Sequence, residues 1–241
     1  MAIQRNLPTR NADGAGVVTP SRTTPYLEAY TLNLGGGNWG FADEGSYFVA
    51  TNATLATGIA GHAAPVVADT DTKALLAVFN GTQLNLIPDY LYLEVTAAGT
   101  AGTIHYTTIY IDNKGTAANS ATGTAITAFN STRSAGGVAL TTGLTMRFGA
   151  VVTTMSSSVK VGQQLVREVI PVVQDTVLMK FGGANGGAHA ALTTAGTATN
   201  HCIQHFAPLN IGPGGNLNIS QIRASQSAAA SYQFEFGFWL R

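Results

Sequence analysis

Two histidines four residues apart are the first candidates for chemistry in this chain. His201 and His205 flank the run Cys-Ile-Gln. On a helix this spacing would place both imidazoles on one face and suit a metal ion. No glutamate lies between them, and the nearby Pro208 and the β-rich context favour a strand or loop. On a strand the two side chains share a face but lie about 13 Å apart, too far for one ion. We therefore assign no metal ligands and no cofactor.

The cysteine and the acidic pairs offer little more. Cys202 neighbours His201, but adjacent strand residues point to opposite faces, so we predict a buried structural thiol. Asp69 and Asp71 resemble the start of a calcium loop. The oxygen ligands that should follow are missing, since Lys73 stands there instead, and a solvated turn is favoured. The remaining histidines and acidic pair stand alone: His62, His105, His189 and Asp43-Glu44.

Motifs for catalysis are missing from the sequence. It contains no Gly-x-Ser-x-Gly elbow, no phosphate-binding loop and no dinucleotide-binding glycine pattern. A glycosidase needs two placed carboxylates, and nothing singles out a pair among the 12 acidic residues. We predict that the chain is not an enzyme and name no catalytic residues. A polysaccharide depolymerase is the least favoured alternative.

Aromatic residues could instead form a surface on which sugars stack. Trp39 and Phe41 follow the glycine turn 35–37, and Trp239 lies near the carboxyl end. Large exposed aromatic side chains mark binding surfaces. Trp39 fits a loop anchor and an interface equally well, whereas Trp239 fits a second core layer or a subunit contact.

The segment that organises the fold is 231–240, Ser-Tyr-Gln-Phe-Glu-Phe-Gly-Phe-Trp-Leu. Its large apolar side chains occupy every second position, so a strand would place all of them on one face. Burying each one stabilises the fold by about 1.5–3 kcal/mol. We therefore predict the central core strand of a β-sheet at this position.

The rest of the chain resembles a series of short strands separated by glycine-rich turns, with no long helix. Many short strands of this kind predict an all-β sandwich or barrel. The long gaps between them favour a jelly-roll-like β-sandwich with crossovers. Segments 90–96 and 103–111 are the best candidates for a hairpin or a neighbouring pair. The other apolar runs lie at 30–34, 46–50, 73–79, 123–130, 145–153, 164–170, 176–181, 201–206 and 217–222.

The first 30 residues have a different character. Pro8, Pro20 and Pro25 interrupt them, together with Gly14 and Gly16, and no periodicity is visible. We predict an extended N-terminal arm at 1–30, with a disordered leader as the alternative. Residues 31–241 then form a single β-sandwich domain.

Charge and composition limit the possible partners. Only 10% of the 241 residues are charged, against about 25% in a typical protein, and 12 basic residues balance 12 acidic ones. A neutral chain lacks the basic surface that nucleic acid requires. No apolar run is long enough to span a membrane, and the N-terminus lacks a signal-peptide core. With one cysteine, we expect synthesis in a reducing cytosol. So few charges favour a protein that lives in an assembly, with a secreted protein as the alternative.

Three patches together resemble a known group of proteins. They are 58–65 (Gly-Ile-Ala-Gly-His-Ala-Ala-Pro), 90–102 (Tyr-Leu-Tyr-Leu-Glu-Val-Thr-Ala-Ala-Gly-Thr-Ala-Gly) and 211–215 (Ile-Gly-Pro-Gly-Gly) leading to 228–241. These patches resemble small structural proteins of tailed bacteriophages. The likeness covers about a third of the residues, spread over 58–241, and does not extend to the arm.

The resemblance implies a virion component made in the cytoplasm of a host bacterium. The position it suggests is a head decoration or cement protein, which forms homo-oligomers and docks on the major capsid protein. It transfers no functional residues. The alternative is a receptor- or carbohydrate-binding module of a tail or head fibre that uses Trp39 or the loop 182–190.

Overall fold

A computed structural model gives the fold of most of the chain. It describes residues 46–52, 54, 57–62, 70–99, 103–114, 118, 120–131, 140, 143–167, 172–182, 201–224 and 228–241. All of them belong to one compact unit, Ser46–Arg241. This unit is an all-β sandwich of two packed sheets, and its described residues include no helix. The predicted fold class is confirmed.

Thirteen strands are described. They are β1 Tyr47–Thr51, β2 Ile59–Ala60, β3 Lys73–Asn80, β4 Leu86–Ala97, β5 Thr103–Asp112, β6 Thr124–Ile126, β7 Ala128–Asn130, β8 Leu144–Val152, β9 Val159–Arg167, β10 Thr176–Phe181, β11 His201–Phe206, β12 Asn216–Ala224 and β13 Ser231–Leu240. The ambiguous run 73–79 is a strand, as predicted, and the weak strand at 123–130 divides into β6 and β7.

The strands form a seven-stranded and a six-stranded sheet. The seven-stranded sheet has the order β11-β10-β4-β13-β1-β7, and β2 pairs with the start of β13. The six-stranded sheet has the order β6-β8-β3-β12-β5-β9. All the pairs are antiparallel except β10 with β11, which is parallel.

The last strand lies in the middle of the seven-stranded sheet, between β4 and β1. Its apolar alternation is confirmed, because all five predicted side chains are buried: Tyr232, Phe234, Phe236, Phe238 and Leu240. Phe234 stacks on Phe148 of β8 with ring centroids 4.1 Å apart, which joins the two sheets across the core. The main hydrophobic core is built around this strand.

The predicted pairing of 90–96 with 103–111 is wrong. β4 belongs to the seven-stranded sheet and β5 to the six-stranded one, so the chain crosses between sheets after β4. Gly99 in this crossover has a φ of +69°, a conformation that glycine adopts without strain. No described strand forms a hairpin with the next one. The alternation that predicted a hairpin arises because each strand has one face in the shared core.

At both lateral edges of the sandwich, the chain links one sheet to the other. On one side β6 ends at Ile126 in the six-stranded sheet and β7 begins at Ala128 in the seven-stranded sheet. The continuous run 124–130 therefore supplies an edge strand to each sheet. On the other side Gln164 of β9 donates to the carbonyl of His205 on β11 at 2.6 Å. The side-chain amide of Gln204 on β11 donates to the carbonyl of Leu165 on β9 at 3.3 Å.

The outer face of the six-stranded sheet, which we call the sealed face, is covered over its central strands. Segment 153–158 links β8 to β9, which lie four strand spacings apart, or about 19 Å. It crosses that distance over the face, where the backbone nitrogens of Ser156 and Ser157 each donate to Asp112 at 3.2 Å. The turn at Asp71 also lies over this face and, with segment 153–158, forms its cover. The Asp71 carbonyl accepts a bond from Asn218 at 3.3 Å. Polar side chains on this face are therefore buried, among them Thr108, Asp112, Asn216, Asn218 and Ser220.

The predicted arm at 1–30 lies outside the described residues, as does the apolar run at 30–34. The arm and the jelly-roll subtype of the sandwich remain predictions.

Candidate functional site

The outer face of the seven-stranded sheet remains accessible. We call this surface the open face and define it by outward side chains of five strands: Tyr47 of β1, Tyr90, Tyr92 and Glu94 of β4, Leu178 and Lys180 of β10, Ile203 of β11, and Gln233, Glu235 and Trp239 of β13. Each is half-buried or exposed, and Ile203 reaches 46% exposure. Aromatic, carboxylate and amide groups thus share one sheet surface.

A glycine at the centre of the open face lets two tyrosines lie across the sheet. A Cβ at Gly237 would overlap the hydroxyl of Tyr47 and the ring of Tyr90. The Tyr47 hydroxyl donates to Asp89 at 3.0 Å, and the Tyr90 hydroxyl donates to Glu235. Both phenols are therefore held in place by carboxylates, which orients the face before any partner arrives.

The open face and the adjoining Asp89 carry more carboxylates than lysines. Asp89, Glu94 and Glu235 lie on β4 and β13, and Lys180 on the neighbouring β10. Burial raises the pKa of Asp89, and its bond from Tyr47 and the charge of Lys180 offset part of that rise. Burial also raises the pKa of Tyr90, and the adjacent Glu235 adds to the effect, so this phenol remains protonated.

A groove opens at one end of the open face. Its wall consists of Thr51, Asn52 and Thr54, and its floor of Tyr92, Gln233 and Glu235. The free space is about 440 Å³, within the range of roughly 300–1,000 Å³ that small-ligand sites occupy.

Asn52 holds the wall of the groove against the central strand. β1 ends at Thr51 and β2 starts at Ile59, which leaves a gap beside β13. The side chain of Asn52 occupies this gap and accepts a bond from the backbone nitrogen of Phe234 at 2.8 Å. Its amide nitrogen donates to the carbonyls of Thr57 at 3.1 Å and Tyr232 at 3.3 Å. The Asn52 side chain thus supplies hydrogen bonds to β13 that a paired strand would otherwise supply. These bonds hold the wall of the groove in place.

The two candidate metal ligands lie on β11, at the far edge of the same sheet. His201 is exposed and its Nδ1 lies 2.8 Å from the hydroxyl of Thr176. His205 is half-buried and in register with Lys180, which contributes a positive charge and no ligand. Among the residues that the structure describes, no three His, Cys, Asp or Glu side chains are grouped to hold a metal.

The other candidate residues have structural roles. Cys202 is buried on the opposite face from His201, and burial raises its pKa to about 11, as expected for an inert thiol. Asp71 accepts a bond from Ser158 and forms part of the cover described above. His62 lies within bonding distance of two carbonyls, Ala74 at 3.2 Å and Val151 at 2.8 Å.

Several predicted positions lie outside the described residues. They are Trp39, Phe41, Asp69, His189, the Asp43-Glu44 pair and 183–190 of the glycine-rich loop. His105 lies on β5 in register with Arg167. Trp239 lies on the open face, where its ring meets Tyr47 edge-on at a centroid distance of 5.0 Å. It is therefore part of the outer surface and not of a second core layer.

Sequence reasoning overlooked Tyr47, Asp89 and Asn52. A signal was present in 90–96, where Tyr90, Tyr92 and Glu94 alternate with the buried leucines. A strand with one apolar face must present these residues on the other. Nothing comparable marks Asn52, because its partners on the central strand, Tyr232 and Phe234, are 180 and 182 residues away in the chain.

Comparison with known proteins adds no relative: no family model, curated protein or solved structure matches the chain. In the part of the chain that the structure describes, no helix is long and apolar enough to cross a membrane.

Proposed function

We propose that this protein is a structural component of a tailed bacteriophage particle, a head decoration or cement protein. The likeness at 58–65, 90–102, 211–215 and 228–241 suggests this role. The low charge and zero net charge support it, because a chain of this composition is poorly protected against association.

The observation that carries the proposal is that the chain links its two sheets at both lateral edges and covers one outer face. The run from β6 to β7 links the two sheets on one side, and hydrogen bonds between β9 and β11 link them on the other. Segment 153–158 bonds to one outer face. The described residues that could do chemistry, Cys202 and the histidines of β11, are buried or dispersed along a strand. Such a body suits a mechanical role better than a catalytic one.

The mechanism we propose is the addition of contact area across the capsid lattice. An interface of standard size buries about 1,600 Å². Copies repeated over a shell bind with avidity, so a modest contact between one copy and the major capsid protein suffices. In this proposal residues 1–30 act as the tether, and the protein forms homo-oligomers on the head.

Removing the tether tests the proposal. We expect the full chain to co-sediment with empty heads of its phage, and a variant lacking residues 1–30 to lose at least about tenfold in occupancy, as loss of an anchoring contact predicts. The control is the unfolding midpoint of the truncated chain, which should match that of the full chain. Equal occupancy of both chains would refute the tether, and failure of the full chain to bind heads would refute the decoration role.

The alternative role is that of a receptor- or carbohydrate-binding module, which the sequence places at Trp39 or the loop 182–190. Trp39 and most of the loop 182–190 lie outside the described residues. Sugar binding is considered for a different surface, the groove lined by Tyr92, Gln233 and Glu235.

A further inference from the structure

The groove beside Asn52 contains polar groups that the protein leaves unpaired. Within the described part of the chain, no hydrogen bond engages the hydroxyl of Tyr92 or the side-chain amide of Gln233. Glu235 accepts the Tyr90 hydroxyl through Oε1 only, and its Oε2 is unpaired among the described residues. Tyr92 and Gln233 are half-buried and Glu235 is exposed, so these unpaired groups are accessible and free to bond to a ligand.

The contrast with the adjacent tyrosines shows that this is a local feature. Tyr47 and Tyr90, one row along the sheet, direct their hydroxyls to Asp89 and Glu235. Tyr92 is in register with Glu235, yet its hydroxyl has no such bond. The groove therefore combines an oriented carboxylate with an uncommitted phenol and amide.

The chemistry of the lining restricts the ligand. A phenol donates, a carboxylate accepts, and an amide does both, so the ligand must carry donors and acceptors at close spacing. The ring of Tyr92 also offers an apolar surface for flat contact. The carboxylates of Glu94 and Glu235 repel an anionic ligand, which argues against phosphate-bearing and acidic polymers.

We propose that this groove binds a neutral saccharide, with Tyr92 packed against a sugar ring and Gln233 and Glu235 bonded to its hydroxyls. Pyranose rings present both an apolar C–H surface and a ring of hydroxyl donors and acceptors, which matches the lining. The wall of Thr51, Asn52 and Thr54 then limits the site on its outer side. This binding goes beyond a structural role on the virion and does not depend on it.

Titration of the full chain with defined oligosaccharides tests the site. The neutral probes are the tetramers of glucose (α-1,4 and β-1,4) and of N-acetylglucosamine. The comparison probes are an oligogalacturonate, a glucosamine tetramer and a lysine-rich peptide. We expect isothermal titration to detect one of the neutral probes at a Kd of about 1 mM or tighter, and the oligogalacturonate not to bind.

Variants locate the binding. Gln233→Ala and Tyr92→Ala should each weaken the neutral probe at least about tenfold, the loss expected when one good contact is removed. Tyr92→Phe keeps the ring and removes the hydroxyl, so its loss should be smaller than that of Tyr92→Ala. Ile203→Ala is the control, because Ile203 is exposed on the same face but outside the groove.

Each contrary result overturns the inference. Binding of none of the neutral probes, or preference for the acidic probe or the peptide, would refute the proposed ligand class. Neutral-probe binding that survives both Gln233→Ala and Tyr92→Ala would place the site elsewhere. The Gln233→Ala result remains decisive if Tyr92→Ala fails to fold. Head co-sedimentation of the same variants is measured separately, so the saccharide site and the virion role fail or stand independently.

Discussion

The two outer faces of the sandwich differ in how far the chain covers them. On the six-stranded sheet the chain folds back over its own strands, and polar side chains such as Asn218 and Ser220 are buried there. On the seven-stranded sheet, side chains of similar polarity, such as Gln233 and Glu235, stay accessible. Both faces are polar, so composition alone does not distinguish them.

The difference lies in how many polar side chains find partners inside the chain, although the buried Thr108 hydroxyl on the sealed face has none among the described residues. On the sealed face Asp112 accepts bonds from Lys114, Ser156 and Ser157. Asn218 and Ser220 donate to the carbonyls of Asp71 and Lys73. On the open face the Tyr92 hydroxyl and the Gln233 side-chain amide have no hydrogen-bond partner among the described residues. A buried polar network contributes to stability, whereas an unpaired accessible one is available for recognition.

The largest expected effect comes from breaking the seal at Asp112. Asp112→Ala leaves the backbone nitrogens of Lys114, Ser156 and Ser157 without their acceptor, and we expect a loss of about 3 kcal/mol in the free energy of unfolding. Urea denaturation measures this loss. Glu94→Ala on the open face is the matched control and should change stability by less than about 0.5 kcal/mol. Equal losses at the two sites would contradict the contrast between the faces.

The same carboxylate makes stability depend on pH. Burial raises the pKa of Asp112, but the backbone N–H bonds outweigh it and the net pKa is lowered. A lowered pKa in the folded state means that the stabilisation is present above the unfolded value of about 3.9 and is lost as pH falls below it. Wild type should therefore lose more stability than Asp112→Asn below about pH 4. Parallel curves for the two proteins would contradict this.

A smaller effect is expected from crowding the open face at Gly237. In Gly237→Ala the new Cβ would overlap the Tyr47 hydroxyl and the Tyr90 ring, which must both move. We expect a loss of about 1–3 kcal/mol, the usual cost of overpacking. Gly212→Ala is the control, because its Cβ would meet only Asn85 at 3.8 Å. A Gly237→Ala variant as stable as Gly212→Ala would show that the tyrosines are not held in place.

The smallest effect is expected at the wall of the groove. Asn52→Ala removes the acceptor for the Phe234 nitrogen and the two bonds to carbonyls, for a loss of about 1–2 kcal/mol. Asn52→Asp keeps the acceptor and should lose less. Thermal unfolding compares them, with Thr54→Ala as a control on an exposed residue of the same loop. If Asn52→Ala and Thr54→Ala have the same midpoint, Asn52 is not the clamp that we describe.

The elements of the fold were more predictable than their pairing. Segments 176–181 and 201–206 are strands with the predicted bounds. Their parallel pairing was not foreseen, and the expected pairing of 90–96 with 103–111 is wrong. Alternation is a local property of a strand, whereas pairing depends on which distant strands share the core.

The candidate site was less predictable still. The alternation of 90–96 identified Leu91 and Leu93 as a buried face, and the outward positions of Tyr92 and Glu94 follow from it. The groove also needs Asn52 and Gln233, which are brought together only when β1 and β13 pair. No spacing in the sequence contains that information.

The sequence by itself determined that the chain is all-β and that 231–240 forms its central core strand, because alternating aromatic side chains can be buried only from one face of a sheet. Only the tertiary structure decided which polar residues are buried and which remain open. Asp112 and Glu235 are both carboxylates on strands, but segment 153–158 covers the first and no described segment covers the second. That outcome depends on the path of a six-residue crossover between strands about 19 Å apart, a long-range constraint that local residue patterns do not encode.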